Sequence, residues 1–373
     1  MKIVFIGGRD VQKLGGIENY MYNLASHLVK YGHEPIVFCE SDHNGEEMIN
    51  GFRVIHMTGP KSYLLCKPWV GLKATLHTIR HIKDVDFIHY NAWPPSLSSP
   101  LARLFGIRSL MMGHGHEWQR SKYSRRQKPI LKFMERVTAY LNRNLIMCSE
   151  NQTQYFAKNY HREATTIPTA ITLPDTNDQD TDVLQRFGIK PGKYLFFLAR
   201  LVQDKNPNYL IEAFNKAKTP GLQLVIAGNN PANPEYVEHL HSLAKGNSDI
   251  IFTGAVYGND KTTLLRHAYG FCLPSTIEGL SISLLEAMSY RLPIIASDIP
   301  ANKEVLGDDD AFWHAPEDTA GLAQCITEAA QCSEKFHRPV ERNFIRIAEQ
   351  YTWNKVTHKY IQYLEHIEQR MDK

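Results

Sequence analysis

The sequence predicts an α/β protein of two domains, each a parallel sheet with helices on both faces. Three observations carry that expectation. Short apolar runs of strand length alternate with longer stretches at helical spacing along most of the 373 residues. The first run passes through a glycine-bearing loop into a helix. A polar, aperiodic stretch at 174–182, with four aspartates, then separates a second series of the same alternation and reads as an interdomain linker.

Composition fits this reading. Hydrophobic residues make up 43% of the chain and charged residues 22%, as in globular proteins, and the length suffices for two ordinary cores. No apolar run reaches the ~18 residues of a membrane span. The opening Met1-Lys2-Ile3-Val4-Phe5-Ile6-Gly7 is apolar too briefly for a secretory signal and reads as a first strand. The six cysteines, Cys39, Cys66, Cys148, Cys272, Cys325 and Cys332, show neither metal nor redox spacing, so a reducing cytoplasmic compartment is expected. Charge is uneven. Residues 1–175 hold 22 Lys and Arg against 14 Asp and Glu, whereas the remainder holds 20 against 25. The basic half is therefore the one expected to meet an anionic partner.

The elements follow in order. Residues 2–6 form a strand, Gly7-Gly8 open a loop that ends at Gly15-Gly16, and a helix follows with Ile17, Tyr20, Met21, Leu24 and Leu28 on one face and Gly32 as its stop. A strand, a glycine loop and a helix N-terminus can cradle phosphate, although the spacing is not that of a dinucleotide fingerprint. Strands are expected at 35–39, 52–56, 86–90, 108–112 and 144–148, with helices at 67–83, 97–105 and 130–141. Gly113-His114-Gly115-His116-Glu117-Trp118 occupies the carboxyl end of a strand, where ligands of such sheets sit. Residues 119–143 then carry eight basic residues and one acid, Glu135. Arg120, Lys122, Arg125, Arg126, Lys128 and Lys132 interleave with Trp118, Tyr123, Ile130, Leu131 and Phe133. That mixture suits an anionic membrane surface, the alternative being a solvated helix face. Nothing supports a nucleic-acid partner.

In the second series, a strand at 194–199 leads into Arg200-Leu201-Val202-Gln203-Asp204-Lys205-Asn206-Pro207. Asn206 and Pro207 read as N-cap and first helical residue, so this loop delivers Arg200 and Lys205 beside a helix N-terminus. A guanidinium fork and a point charge together suit a diphosphate. Strands at 222–227 and 250–253 end near Gly228 and Val256. A strand at 269–273 precedes Pro274 to Ser289. Here Glu278 lies in a tight loop before Gly279, and Ile282, Leu285 and Met288 mark a helix starting at about Ser281. A carboxylate between Ile277 and Gly279 helps neither strand nor turn. Glu286 has a structural alternative, because Ser283 and Glu286 have capping-box spacing. A strand at 292–296 and helices at 320–331, 339–350 and 353–370 complete the chain, and Asp308-Asp309-Asp310 reads as a surface turn.

Taken together these residues resemble family 4 of the retaining glycosyltransferases, of GT-B architecture. Glu278 through Glu286, two glutamates with seven residues between them, resembles the family's signature. Arg200 with Lys205 resembles its basic pair, Gly15-Gly16-Ile17-Glu18 its N-terminal glycine loop, His114 its first-domain histidine, and Tyr351-Thr352-Trp353 the start of its crossing helix. The segment His114 to Tyr123 is similar to one found in bacterial rhamnosyl- and related hexosyltransferases that build surface polysaccharides. Several of those carry Asp where His114 stands and lack the Lys205 and Glu278 pattern, so their donor sugar does not transfer to this chain. Arg291 stands where the family commonly has Gly.

The resemblance implies two Rossmann-like domains facing across a cleft: an acceptor domain at 1–174, a nucleotide-sugar domain at 175–352, and a helix at 353–373 that packs back on the first. It implies that Arg200 and Lys205 neutralise the departing diphosphate, helped by the helix after Gly15-Gly16. Glu286 would bind ribose, and Glu278 with the backbone of Gly279, Leu280 and Ser281 the sugar hydroxyls. His114 would face the sugar ring, and the base would rest near Gly228 and Val256. The donor would be a UDP-, dTDP- or GDP-hexose, used as substrate without cofactor or metal. The acceptor would be a saccharide or lipid-linked oligosaccharide at the inner face of the membrane. A sugar-nucleotide 2-epimerase of the same architecture and a non-catalytic nucleotide-sugar-binding protein are the rival readings. A dinucleotide-dependent oxidoreductase would need a tighter glycine fingerprint.

Overall fold

The structure, a computed structural model, describes residues 1–11, 15–121, 123–175, 181–331 and 333–370. Most of the polar stretch 174–182, together with Lys122 and Cys332, lies outside the described residues. The chain divides into two compact units, Met1–Ala170 with Trp353–Lys373, and Ile171–Thr352.

The N-terminal unit runs β1 (Lys2–Arg9), α1 (Gly16–Lys30), β2 (Glu34–Ser41), β3 (Gly45–Ile49), β4 (Phe52–Thr58), α2 (Tyr63–His81), β5 (Phe87–Tyr90), α3 (Ser99–Leu104), β6 (Arg108–Gly113), α4 (Gln127–Leu141), β7 (Asn144–Met147), α5 (Glu150–Tyr160) and β8 (Thr165–Thr166). The strand order is β3-β4-β2-β1-β5-β6-β7-β8. The strands pair in parallel except β3, which runs antiparallel against β4, so this sheet is mixed rather than the all-parallel sheet expected. The β3 sequence, Gly-Glu-Glu-Met-Ile, lacks alternation and lies exposed at the sheet edge, which is why apolar patterning did not reveal it. Helix α5 escaped the same reading because it is polar and buries little beyond Gln152, Phe156 and Tyr160.

The C-terminal unit runs α6 (Asp182–Phe187), β9 (Tyr194–Leu198), α7 (Pro207–Ala217), β10 (Gln223–Ala227), α8 (Pro234–Ala244), β11 (Ile250–Gly254), α9 (Gly258–Arg266), β12 (Gly270–Leu273), α10 (Ile282–Ser289), β13 (Ile294–Ser297), α11 (Pro300–Leu306), β14 (Phe312–His314), α12 (Thr319–Gln331), α13 (Ser333–His337) and α14 (Val340–Gln350). Among the described residues its six strands are all parallel, in the order β11-β10-β9-β12-β13-β14. Along β9 the side chains alternate between two cores. Tyr194 and Phe196 join Phe271, Leu273, Leu285 and Met288 on one face. Leu195 and Phe197 join Ile226, Cys272, Ile326 and Phe336 on the other. Burial on both faces explains why these strands read as continuous apolar runs.

The chain then returns to the N-terminal unit as α15 (Trp353–Gln369), which buries Trp353, Val356, Tyr360, Leu364 and Ile367 at helical spacing. Tyr360 Oη lies 2.8 Å from His89 Nδ1 of β5.

One residue shows how the fold absorbs a local cost. Arg291, two residues beyond α10, sits in the left-handed region at φ 56°, where glycine is the usual choice. Its guanidinium donates to Glu341 at 3.0 Å and stacks 3.5 Å from the Phe344 ring centroid. These contacts with α14 offset a backbone penalty of about 1 kcal/mol.

Candidate active site

The order of the C-terminal sheet locates the site. From β9 the chain winds outward through β10 and β11, then returns to β12 on the other side of β9 and winds outward through β13 and β14. The winding direction therefore reverses between β9 and β12, and the loops at the carboxyl ends of those two strands flank the place where such sheets hold ligands. Those loops carry Arg200 and Lys205 on one side and Glu278 on the other.

Backbone and side-chain bonds hold the two loops together. Thr276 donates from its backbone N to the Asp204 carbonyl at 3.0 Å. Asn206 Nδ2 donates to the Pro274 carbonyl at 2.9 Å. Asn206 holds the N-cap position of α7 and Pro207 the first helical one, as expected. Asn206 is in left-handed geometry, φ 52°, and its side chain makes no capping bond but ties the two loops. Ser297 Oγ donates to the Ser275 carbonyl from below. Across this frame Lys205 Nζ donates to Glu278 Oε1 at 2.5 Å. The Glu278 side chain is 6% exposed and that of Lys205 23%. An ammonium has three donors, so the pairing leaves Lys205 further N–H groups for an anion. Arg200 follows β9 and is exposed. Its neighbour Leu201 is buried in the core and anchors the loop.

Glu286 occupies the fifth position of α10. The helix is capped by Ser281, whose Oγ accepts from the Leu284 backbone N at 3.4 Å, so the capping-box alternative for Glu286 is not what the structure holds. Lys261 Nζ of α9 instead donates to Glu286 Oε1 at 2.6 Å. Lys261 escaped the sequence reading. Its signal is a cation in the first turn of a helix, where the macrodipole disfavours one. Gly279 and Leu280 are half-buried and complete the loop before Ser281. Gly228 closes β10 against β9. A Cβ there would stand 1.9 Å from the Ala199 carbonyl oxygen, so glycine is required for the close approach. Val256 is buried in the core, so its side chain serves packing.

Asp308-Asp309-Asp310 lies in the turn expected, but its last residue is not at the surface. Asp308 and Asp309 are exposed, but Asp310 is buried and pairs with Arg342 and Arg346. A cavity of about 990 Å³ beside it, lined by Trp313, His314, Asp318 and Arg338 among others, contains none of the sequence-derived site residues.

In the N-terminal unit, His114 follows β6 and packs edge-on against Tyr20, with ring centroids 5.1 Å apart. Burial, with the charges of Lys67 and Arg120 adding, pushes its pKa down to about 3, so the imidazole is neutral at physiological pH. His116 is structural. Its Nδ1 donates to both oxygens of buried Glu135 at 3.0 and 3.1 Å, and Glu135 also accepts from Trp118 Nε1 and Tyr160 Oη at 3.2 and 2.9 Å. The one acid of the basic segment is therefore the clamp that ties the His114 loop to α4 and α5. Outward, α4 exposes Ile130 at 63% and Phe133 at 64%, amid exposed Arg125, Arg126, Lys132 and Arg136. Gly15 is the N-cap of α1. Glu18 turns back over it and accepts from the Arg9 backbone N at 2.9 Å. An anion arriving at Gly15 and Gly16 would meet this carboxylate first.

Comparison with known proteins agrees with the geometry. The family described as "Glycosyl transferases group 1" matches residues 180–346, and that described as "Glycosyltransferase Family 4" matches residues 14–173. The O-antigen chain mannosyltransferase C of Escherichia coli is 22% identical over 93% of this chain and 93% of its own. Among solved structures, sucrose-phosphate synthase from Thermosynechococcus elongatus superposes with a TM-score of 0.82 at 18% identity, covering 98% of both chains. Anabaena HepE in complex with UDP-glucose superposes with a TM-score of 0.78 at 16% identity, over 98% of this chain and 100% of that one. Sheet order, loop chemistry and these matches lead to one conclusion: the chain belongs to family 4 of the glycosyltransferases and has the GT-B fold.

Proposed function

We propose that this glycosyltransferase moves a hexose from a UDP-, dTDP- or GDP-linked donor to a saccharide or lipid-linked oligosaccharide, with retention of anomeric configuration. One observation carries the reading: Lys205 and Glu278 meet at 2.5 Å where the winding of the sheet reverses. A cation for the diphosphate and a carboxylate for the sugar hydroxyls thus stand side by side on loops held by Asn206 and Thr276. The name of the E. coli relative and the UDP-glucose bound to HepE support the substrate class.

In this reading Arg200 and Lys205 take up the negative charge that develops on the leaving diphosphate. One preorganised donor of this kind contributes roughly 3 kcal/mol. Glu278, with the backbone of Gly279, Leu280 and Ser281, orients the hexose. Glu286 receives the ribose hydroxyls, and the base lies along the backbone near Gly228 and Val256. Glu278 already holds a lysine and Glu286 is assigned to ribose, so neither is placed as a nucleophile. The acceptor hydroxyl attacks the anomeric carbon on the face the phosphate leaves. As the bond from that carbon to the phosphate oxygen breaks, the acceptor proton passes to that oxygen. His114, held neutral, offers a sugar hydroxyl a hydrogen bond without a charge. Backbone N–H groups at Gly15 and Gly16 would serve a phosphate only if Glu18 yields. The exposed Ile130 and Phe133 among the α4 cations support contact with an anionic membrane surface, where a lipid-linked acceptor would be found.

A thermal-shift panel of UDP, GDP and dTDP sugars tests the reading. A raised melting temperature with one donor class is expected, followed by slow hydrolysis, not epimerisation, when that donor is incubated without acceptor. No shift with any nucleotide sugar would overturn it.

A further inference from the structure

The pairing of Glu286 extends this reading one residue further. Each carboxylate assigned to the donor has its own lysine: Lys205 stands 2.5 Å from Glu278, and Lys261 stands 2.6 Å from Glu286. The first lysine is explained by the phosphate. The second is not explained by the fold. Lys261 is the fourth residue of α9, within the first turn, where aligned peptide dipoles disfavour a cation and favour an acid such as its neighbour Asp260. Glu286 has no helix-capping duty, because Ser281 caps α10. Both side chains are partly covered, Lys261 29% and Glu286 20% exposed, so the contact is screened less than a fully solvated pair.

We infer that Lys261 is a positioning residue and a determinant of ribose recognition. Its ammonium fixes Glu286 Oε1, and so the rotation of the carboxylate, leaving the second oxygen presented to the ribose hydroxyls. A carboxylate free to rotate would lose that orientation on each encounter and would have to recover it on binding. The inference rests on the assignment of Glu286 to ribose. It makes Lys261 matter only to a ligand that carries those hydroxyls.

The test uses the full chain and whichever of UDP, GDP and dTDP binds most tightly, together with the same nucleotide lacking its 2′ and 3′ hydroxyls or, for dTDP, which has no 2′ hydroxyl, its 3′-deoxy form. Calorimetry should show wild type preferring the hydroxylated nucleotide and Glu286→Gln losing that preference. Lys261→Met should weaken the hydroxylated nucleotide roughly fivefold, the size of one well-placed ion pair. It should leave the dideoxy nucleotide unchanged, and Lys261→Arg should recover most of the loss. Equal weakening of both nucleotides, or of neither, in Lys261→Met would overturn the inference while leaving the role of Glu286 intact. Wild type that does not distinguish the two nucleotides, or Glu286→Gln that still does, would overturn the ribose assignment, and the inference with it.

Discussion

Lys205 and Glu278 in the C-terminal unit stand 2.5 Å apart as opposite charges, whereas His114 in the N-terminal unit is stripped of charge by burial against Tyr20. Both are polar side chains on loops at strand ends. In the first case the chain keeps a carboxylate that is only 6% exposed by giving it a counter-ion and anchoring both loops. In the second it removes the charge and keeps an uncharged hydrogen-bonding group. The contrast suits the chemistry proposed. A diphosphate that gains charge as it leaves needs cations that are already fixed, while a neutral imidazole can give a hydrogen bond without adding charge. Each half of the contrast can be broken separately.

The largest effect is expected from Lys205→Ala. Loss of one preorganised donor at the leaving group should lower kcat/KM for the nucleotide sugar about 100-fold. A melting curve run alongside separates this from the cost of leaving Glu278 without its counter-charge, and Lys205→Arg should restore part of the rate. An unchanged kcat/KM would remove Lys205 from the site. Next comes Glu278→Gln. Hydrogen bonds to a charged acceptor are worth about 1.5–3 kcal/mol, so the donor sugar should bind at least tenfold more weakly while the free nucleoside diphosphate binds nearly as before. Equal loss of both would mean that Glu278 does not hold the sugar.

Much of the C-terminal candidate site could be read from the chain, and the reason is local. Pro274, Gly279 and the return of apolar residues at Ile282, Leu285 and Met288 force a strand, a loop and a helix, so Glu278 had no structural duty to perform. The loop that carries Arg200 and Lys205 was legible for the same reason. What could not be read depends on pairings distant in sequence. Asn206 holds the N-cap position as read, yet its amide crosses to Pro274 and makes no capping bond. Asp310 looked exposed, yet it is buried under two arginines supplied by α14. Glu135 looked like a stray acid in a basic helix, yet it is the shared acceptor for His116, Trp118 and Tyr160. The antiparallel β3 has no apolar pattern to reveal it. Where one stretch of sequence fixes the conformation the site shows through, and where a partner tens of residues away decides, it does not.

The neutral state of His114 predicts a dependence of stability on pH. In the unfolded chain this group titrates near 6.5, but in the fold it stays neutral down to about 3. Between those values the unfolded state binds the extra proton, so stability is full above 6.5 and is lost as the pH falls. At pH 5 the loss from this group alone amounts to about 2 kcal/mol. His89, buried behind it, shifts in the same direction. Urea unfolding at pH 7 and pH 5 should show the decline, and His114→Gln should reduce it by roughly that amount. A decline identical in the variant would show that His114 is not held neutral by the fold.

The smallest effect bears on what lies outside the contrast, the exposed face of α4. Ile130 and Phe133 are more than 60% exposed in a unit that buries most of its large apolar side chains, and the residues around them are cationic. Some of the basic charge in this segment is already committed: Arg120 pairs with Glu117 at 3.4 Å, and Lys128 donates to the Gln119 carbonyl at 3.1 Å. Arg125 and Arg126, both exposed, are therefore the residues to reverse. Near an anionic bilayer each basic residue contributes about 1 kcal/mol. The Arg125→Glu, Arg126→Glu double variant should therefore float poorly with anionic vesicles at low salt, and wild-type flotation should weaken as salt shortens the Debye length. Phe133→Ser should weaken flotation by a smaller amount that salt does not alter, because it removes apolar area and not charge. Flotation that ignores the charge reversal would leave α4 a solvated helix face, and the lipid-linked acceptor would lose its support.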